Sequence, residues 1–293
     1  MNPDSRAKSP LANAIRARKT VYVGAKTDPY QPAEEKYEAT REALSVLLSN
    51  GFSIVVATKF PTRAKRDAGL FVLYRDMVTI MPIISPGWGA DWAKLEYGRT
   101  EHPDSRLAAA VWWRARGFNV GINGEPFIPG FHAEEDFRTA IRRIRETGIK
   151  SYNTYNLHFN DWNAKALHAA GVDVDDIFVG NRDTRSDFSL AENWSDILPH
   201  LIAIANDEHM ILGCPDFVNS GSYTEPVGIN TCCGLRVPNP CTMNFMTWKR
   251  LRAAGLDDDE IISKTNDGVG DAEDAARFLK DGAKDRFTLK DVR

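Results

Sequence analysis

The chain has 293 residues, of which 43% are hydrophobic and 26% charged, an ordinary balance for a globular protein. Its 37 Lys and Arg against 40 Asp and Glu give a net charge of −3, so no global basic field marks a nucleic-acid binder. No apolar run approaches the roughly 20 residues of a membrane-spanning helix, and the basic N-terminus MNPDSRAKSPLANAIRARK has no apolar core behind it, which argues against a secretory leader and makes a cytoplasmic location the default expectation.

Residues 20–24 (TVYVG) read as a short buried strand. Residues 33–49 carry Tyr37, Leu44, Leu47 and Leu48 at helical spacing, and Asn50-Gly51 stops that helix. SIVVATK at 53–59 is a β-branched run suited to a strand covered on both faces. The same sentence then repeats. MVTIMPII (77–84) is a strand, 104–116 a helix closed by Gly117, FNVGIN (118–123) a strand, and 133–147 a helix closed by Gly148. IKSYNTYNL (149–157) is a further strand, and 162–170 a helix ended by Gly171. Strand, helix, glycine, strand is the grammar of parallel βα units, so the expected class is α/β, either a TIM-like (β/α) barrel or a doubly wound sheet.

Beyond about residue 185 the rhythm loosens. Residues 192–206 read as helix, 213–242 as irregular, and 243–255 and 270–281 as short terminal helices. The expected organisation is therefore a partial barrel over 1–180 and a C-terminal extension over 181–293. All four cysteines, Cys214, Cys232, Cys233 and Cys241, lie in that extension.

Two blocks carry a resemblance. GAKTDPYQPAEEKYEATREALSVLLSNGFSIVVATK has a strand ending in TDPYQPxE, a helix opening near KYxxTR and a strand ending in TK: here Thr27 to Glu34, Lys36 to Arg41 and Thr58-Lys59. EYGRTEHPDSRLAAAVWWRARGFNVGINGEPFIPGFH follows with Glu96, Arg99, Pro103, Arg106, Leu107, Gly117, Val120, Pro126, Ile128, Pro129 and Gly130 in register. Over roughly residues 15–160 the chain resembles the spore photolyase-like branch of the radical S-adenosylmethionine (SAM) enzymes. The resemblance implies a partial TIM-like barrel, SAM and a [4Fe–4S] cluster as cofactors, reductive cleavage of SAM, and hydrogen abstraction from a substrate for which a nucleic acid is the candidate. It marks Thr27, Asp28, Lys59, Ser85, Arg106 and Asn123 as SAM-facing, with the Lys59 ammonium on the methionyl carboxylate. Tyr30 and Gln31 would face the barrel mouth, where a ring can stack on a base, or else simply shape a turn between two prolines.

The departure from the family is chemical. The cluster needs three thiolates in C-x3-C-x2-C upstream of TDPYQP, and no cysteine precedes Cys214. The expectation is that a separate or upstream segment supplies that loop, the alternative being a homologue that has lost the cluster. The family's hydrogen-donor cysteine near the TD pair is replaced by Ala25 and Lys26, and an arginine common in its fifth strand by Asn123.

Other residues carry open readings. Glu96, Arg99 and Arg106 are expected to include one structural ion pair, beside a direct SAM contact by Arg106. Glu125 either aims a carboxylate into the mouth or accepts loop amides. Cys232, Cys233 and Cys241 are candidate hydrogen donors, as Tyr30 is a candidate catalytic ring. Cys214, Cys232 and Cys241, with His209 nearby, are weak candidates for a metal, or else are inert thiols. The rim SYNTYNLHFNDW offers rings for stacking or for packing. Two other classes compete with the enzyme: a cluster-free α/β binding protein and a zinc-dependent TIM-like hydrolase.

Overall fold

The computed structural model describes residues 15–157 except 26, 89, 97 and 98, together with 165, 167–172, 194–213, 234, 235, 237 and 238. The elements are β1 (Val21–Val23), α1 (Glu34–Tyr37), α2 (Ala39–Ser49), β2 (Ile54–Thr58), α3 (Ala68–Leu73), β3 (Val78–Pro82), α4 (Ala90–Glu96), α5 (Pro103–Arg114), β4 (Asn119–Val120), β5 (Ile122–Asn123), α6 (Glu134–Glu146), β6 (Ser151–Asn153), α7 (Trp194–Asp207) and β7 (Ile211–Gly213). Short 3-10 turns at Arg63–Asp67 and Arg75–Met77 flank α3.

Among the described residues every strand pairing is parallel. One sheet runs β1-β2-β3-β4 and a second β5-β6-β7, and an isolated parallel bridge between Ile83 and Asn123 carries β3 onto β5. The strands therefore follow one another in chain order without a reversal, and the α/β class read from the sequence holds. Side chains on one face of the sheet pack on the helices. Ile54, Val56, Val78 and Ile80 meet Leu44, Leu48, Phe71 and Trp113, while Ile122 and Tyr152 meet Phe137, Ile141, Ile144, Leu201 and Ile204. On the other face lie Val55, Ala57 and Met81, covered by Leu235 and Val237 from far along the chain. Covering both faces accounts for the unbroken burial of β2 and β3.

This second face is concave. Tyr22 on β1 and Asn123 on β5 lie three strand spacings apart, about 14 Å on a flat sheet, and side chains stand roughly perpendicular to a sheet. Yet Asn123 Nδ2 donates to the Tyr22 hydroxyl at 3.1 Å. The sheet must curl toward this face for the two to meet.

Several boundaries differ from the sequence reading for visible reasons. The helix expected over 33–49 is broken at Glu38, a non-glycine residue with φ of +47°. There the buried Glu34 carboxylate accepts the Thr40 and Arg41 amides and so starts a new helix. The strand expected over 118–123 is cut at Gly121, where a Cβ would lie 2.9 Å from Leu235. The strand expected over 149–157 narrows to β6, though the bridge from Phe127 to Asn156 prolongs the pairing. β7 begins just ahead of the segment read as irregular, and α3 and α4 lie in stretches without a clear period. The helices expected over 243–255 and 270–281 lie outside the described residues. So does most of 162–170, of which 165 and 167–169 are helical. Among the described residues, no helix is long and apolar enough to cross a membrane.

Candidate functional site

The TDPYQPAE turn is a knot of hydrogen bonds rather than an open loop. One Asp28 carboxylate oxygen accepts the Tyr30 amide at 2.8 Å and the Thr58 hydroxyl at 2.7 Å, and the other accepts the Lys59 amide at 2.6 Å. The end of β1 is thereby clasped to the end of β2. Thr40 Oγ1 donates to the Pro29 carbonyl, and Arg66 reaches the Glu34 carboxylate at 2.6 Å.

Tyr30 turns inward. Its side chain is fully buried, its hydroxyl donates to Asp67 at 2.9 Å, and burial, reinforced by the Asp67 charge, pushes the phenol far up. The expected ring at the mouth is thus a core ring, and the turn-shaping alternative fits. Asp67 is itself fully buried and takes a second bond from Arg41 at 2.8 Å. Tyr30→Phe is expected to cost about 1–3 kcal/mol, because a buried carboxylate loses a charge-assisted partner; matched thermal melts check it.

The second block closes on the first. The Arg106 side chain has no exposure, and its guanidinium donates to the Glu101 carbonyl (2.6 Å), the Ile83 carbonyl (2.7 Å), Thr100 and both oxygens of Glu96. The Lys59 ammonium lies 3.4 Å from the same Glu96. The ion pair expected among Glu96, Arg99 and Arg106 is therefore Glu96–Arg106, with the guanidinium fully engaged by protein acceptors. Glu101 in turn accepts the Thr62 and Arg63 amides at 3.1 Å each. Of the positions marked as SAM-facing, Asp28 and Arg106 are consumed in this framework. Thr27 is exposed, and Lys59 and Ser85 are half-buried at the ends of β2 and β3.

A different cluster forms on the concave face, at the carboxyl ends of β5 and β6. Asn123 and Asn153 are register partners, so their side chains share that face. The Asn123 carbonyl oxygen accepts the Glu125 amide at 2.8 Å, which leaves its Nδ2 to donate to Tyr22. The Gly124 amide donates to the Asn153 backbone carbonyl at 2.8 Å and more weakly to the Asn153 side-chain Oδ1 at 3.3 Å, and the Asn153 Nδ2 donates to Glu125 Oε1 at 2.9 Å. The Glu125 amide thus orients the Asn123 side chain, and the Gly124 amide adds a weaker contact to that of Asn153. Ser85 joins by donating to the Glu125 carbonyl at 2.9 Å. Gly124 is obligatory here, since a Cβ would fall 2.0 Å from the Tyr152 ring.

Glu125 is half-buried and has no cation beside it among the described residues. Burial pushes its carboxyl up to about 7. An uncompensated carboxyl in a fold whose ligands bind at strand carboxyl ends is a candidate for binding or proton transfer. Among the described residues the Glu125 carboxylate lies on the concave side and accepts the Asn153 side-chain amide rather than loop amides. The expected aromatic rim divides differently: Tyr152 and Tyr155 are packed in the core, while Asn153 faces the concave side. His158, Phe159 and Trp162 lie outside the described residues, as do Cys214, Cys232, Cys233 and Cys241. Among the described residues no group of three or more His, Cys, Asp or Glu could hold a metal ion.

No family model matches the chain. Uncharacterized proteins of Mycobacterium bovis and Mycobacterium tuberculosis are 28% identical to it over 144 residues, a match that covers 48% of this chain and 42% of each relative. The chain thus covers well under half the length of these relatives. A crystal structure of Streptococcus suis SuiB matches 75% of this chain and 57% of that chain at 12% identity. Its TM-score of 0.35 is too low to bear on fold or function.

Proposed function

We propose that the chain is the strand-and-helix core of a radical SAM enzyme similar to spore photolyase, an arc of a (β/α) barrel whose cluster ligands come from outside the described residues. What carries the reading is that the two resembling blocks meet in one framework. Asp28 holds Thr58 and Lys59, Lys59 meets Glu96, and Glu96 holds Arg106. Strands in unreversed chain order, curled toward one face, support the barrel arc over a doubly wound sheet, in which the order reverses.

SAM fits the reading in part. Thr27, Lys59 and Ser85 would hold it, the Lys59 ammonium sharing itself between Glu96 and the methionyl carboxylate, while Asp28 and Arg106 brace the loops behind. The [4Fe–4S] cluster does not fit the described residues, which offer no thiolate set, so its ligands would come from a further segment or from the cysteines beyond them. By the resemblance, the complete enzyme cleaves SAM reductively and abstracts hydrogen from its substrate, with a nucleic acid as the candidate. Equilibrium dialysis of the purified chain against labelled SAM tests the proposal. Saturable binding, weakened by Lys59→Met, is expected; no binding at millimolar SAM overturns it.

A cluster-free binding protein is the second reading. The observation that favours it is the Glu125–Asn153–Asn123–Tyr22 network, which is complete without a cluster. A zinc hydrolase would draw on cysteines outside the described residues.

A further inference from the structure

The concave-face network has a direction. The Glu125 amide orients Asn123, the Gly124 amide lies 3.3 Å from the Asn153 side-chain oxygen, and the asparagines in turn donate to the Glu125 carboxylate and the Tyr22 hydroxyl. One Glu125 oxygen takes the Asn153 bond, and its other oxygen has no partner among the described residues. The network contains no cation to neutralise that carboxylate. Tyr22 brings an aromatic ring to the same face at 38% exposure. A pre-oriented acceptor beside an exposed ring is how proteins take a flat base: the ring stacks and the polar group reads an edge.

We infer that Tyr22, Asn123, Glu125 and Asn153 form a binding site for a planar heterocycle with two adjacent N–H groups, such as the edge of guanine, which meets the Glu125 carboxylate as a fork. The two asparagines are positioning residues. Glu125 is the recognising acceptor, and Tyr22 is the stacking wall. A carboxylate accepts both N–H groups, whereas a heterocycle with a single N–H leaves one oxygen unmet. The site needs neither iron nor SAM, so it stands or falls apart from the radical reading.

The titratable groups near Glu125 are Tyr152 on β6, whose hydroxyl is held by the Ile84 carbonyl, and Tyr22 on β1. No charged side chain pairs with Glu125 among the described residues. Guanosine recognition therefore strengthens as the carboxyl ionises, from pH 6 to pH 8. The test is isothermal titration of the full chain with guanosine and with inosine, which lacks the exocyclic amine. Saturable guanosine binding is expected, weakened at least about tenfold in Glu125→Gln and about equally with inosine, as loss of a charge-assisted contact implies. Tyr22→Leu weakens it without flattening the pH dependence, whereas Glu125→Gln abolishes that dependence. No saturable guanosine binding to the wild type, equal binding of inosine, or an unchanged Glu125→Gln variant with a native circular dichroism spectrum overturns the assignment.

Discussion

Replacing Glu96 by Ala is expected to cost about 3–5 kcal/mol of stability, because it strands a fully buried guanidinium. Arg106 has no route to water and loses two of its acceptor contacts at once. Arg106→Met is expected to cost less, since Glu96 keeps Lys59 at 3.4 Å and the methionine fills part of the space. Burial alone would raise the Glu96 carboxyl; its bond to Arg106 and the charges of Lys59 and Arg106 outweigh that and hold it below the usual range. A depressed carboxyl contributes stability that is present above its unfolded pKa and lost as the pH falls below it. Urea unfolding of both variants at neutral pH checks the order. A Glu96→Ala variant no weaker than Arg106→Met would sink the account of the pair.

Glu125→Gln is expected to do the reverse and stabilise the protein, by up to about 3 kcal/mol at pH 8. The folded-state carboxyl lies at about 7, against 4.5 for the unperturbed group. The folded protein therefore holds a proton that the unfolded chain releases, and stability falls as the pH rises through that window and then levels off. Gln keeps an acceptor for Asn153 and cannot ionise. The gain should shrink toward nothing as the pH approaches 4.5, and thermal melts at pH 5 and pH 8 would reveal it. An equal difference at both values would mean that Glu125 is not held in a desolvated state. Stability surrendered to an ionised group is what a binding site, rather than a structural one, leaves behind.

Much of the fold was legible because parallel βα units write themselves in period and punctuation. IVVAT and VTIMP are continuous apolar or β-branched runs, and Gly51, Gly117 and Gly148 close their helices with positive φ. Illegible were the features made by distant residues. Glu34 reaches forward to recap a helix, and Leu235 packs where Gly121 has no side chain. Tyr30 shows the same limit at the site: flanking prolines signal a turn but not whether the ring faces solvent or Asp67. Asp28 and Arg106 proved to be framework, because an aspartate or arginine that locks a loop has the same spelling as one that holds a ligand. Glu125 stood between two readings, and the sequence could not show that no cation accompanies it among the described residues. The two asparagines around it were visible only as strand-end polar residues, and their orientation needs the register of β5 on β6.

SAM is proposed to be held at the carboxyl ends of the strands, on the concave face. An amide NMR titration of the full chain with SAM tests it most directly. Thr27, Lys59 and Ser85 are expected to shift together and saturate at one concentration, while the outer faces of α2 and α6 stay still. Shifts confined to the helices, or none at saturating SAM, would contradict it.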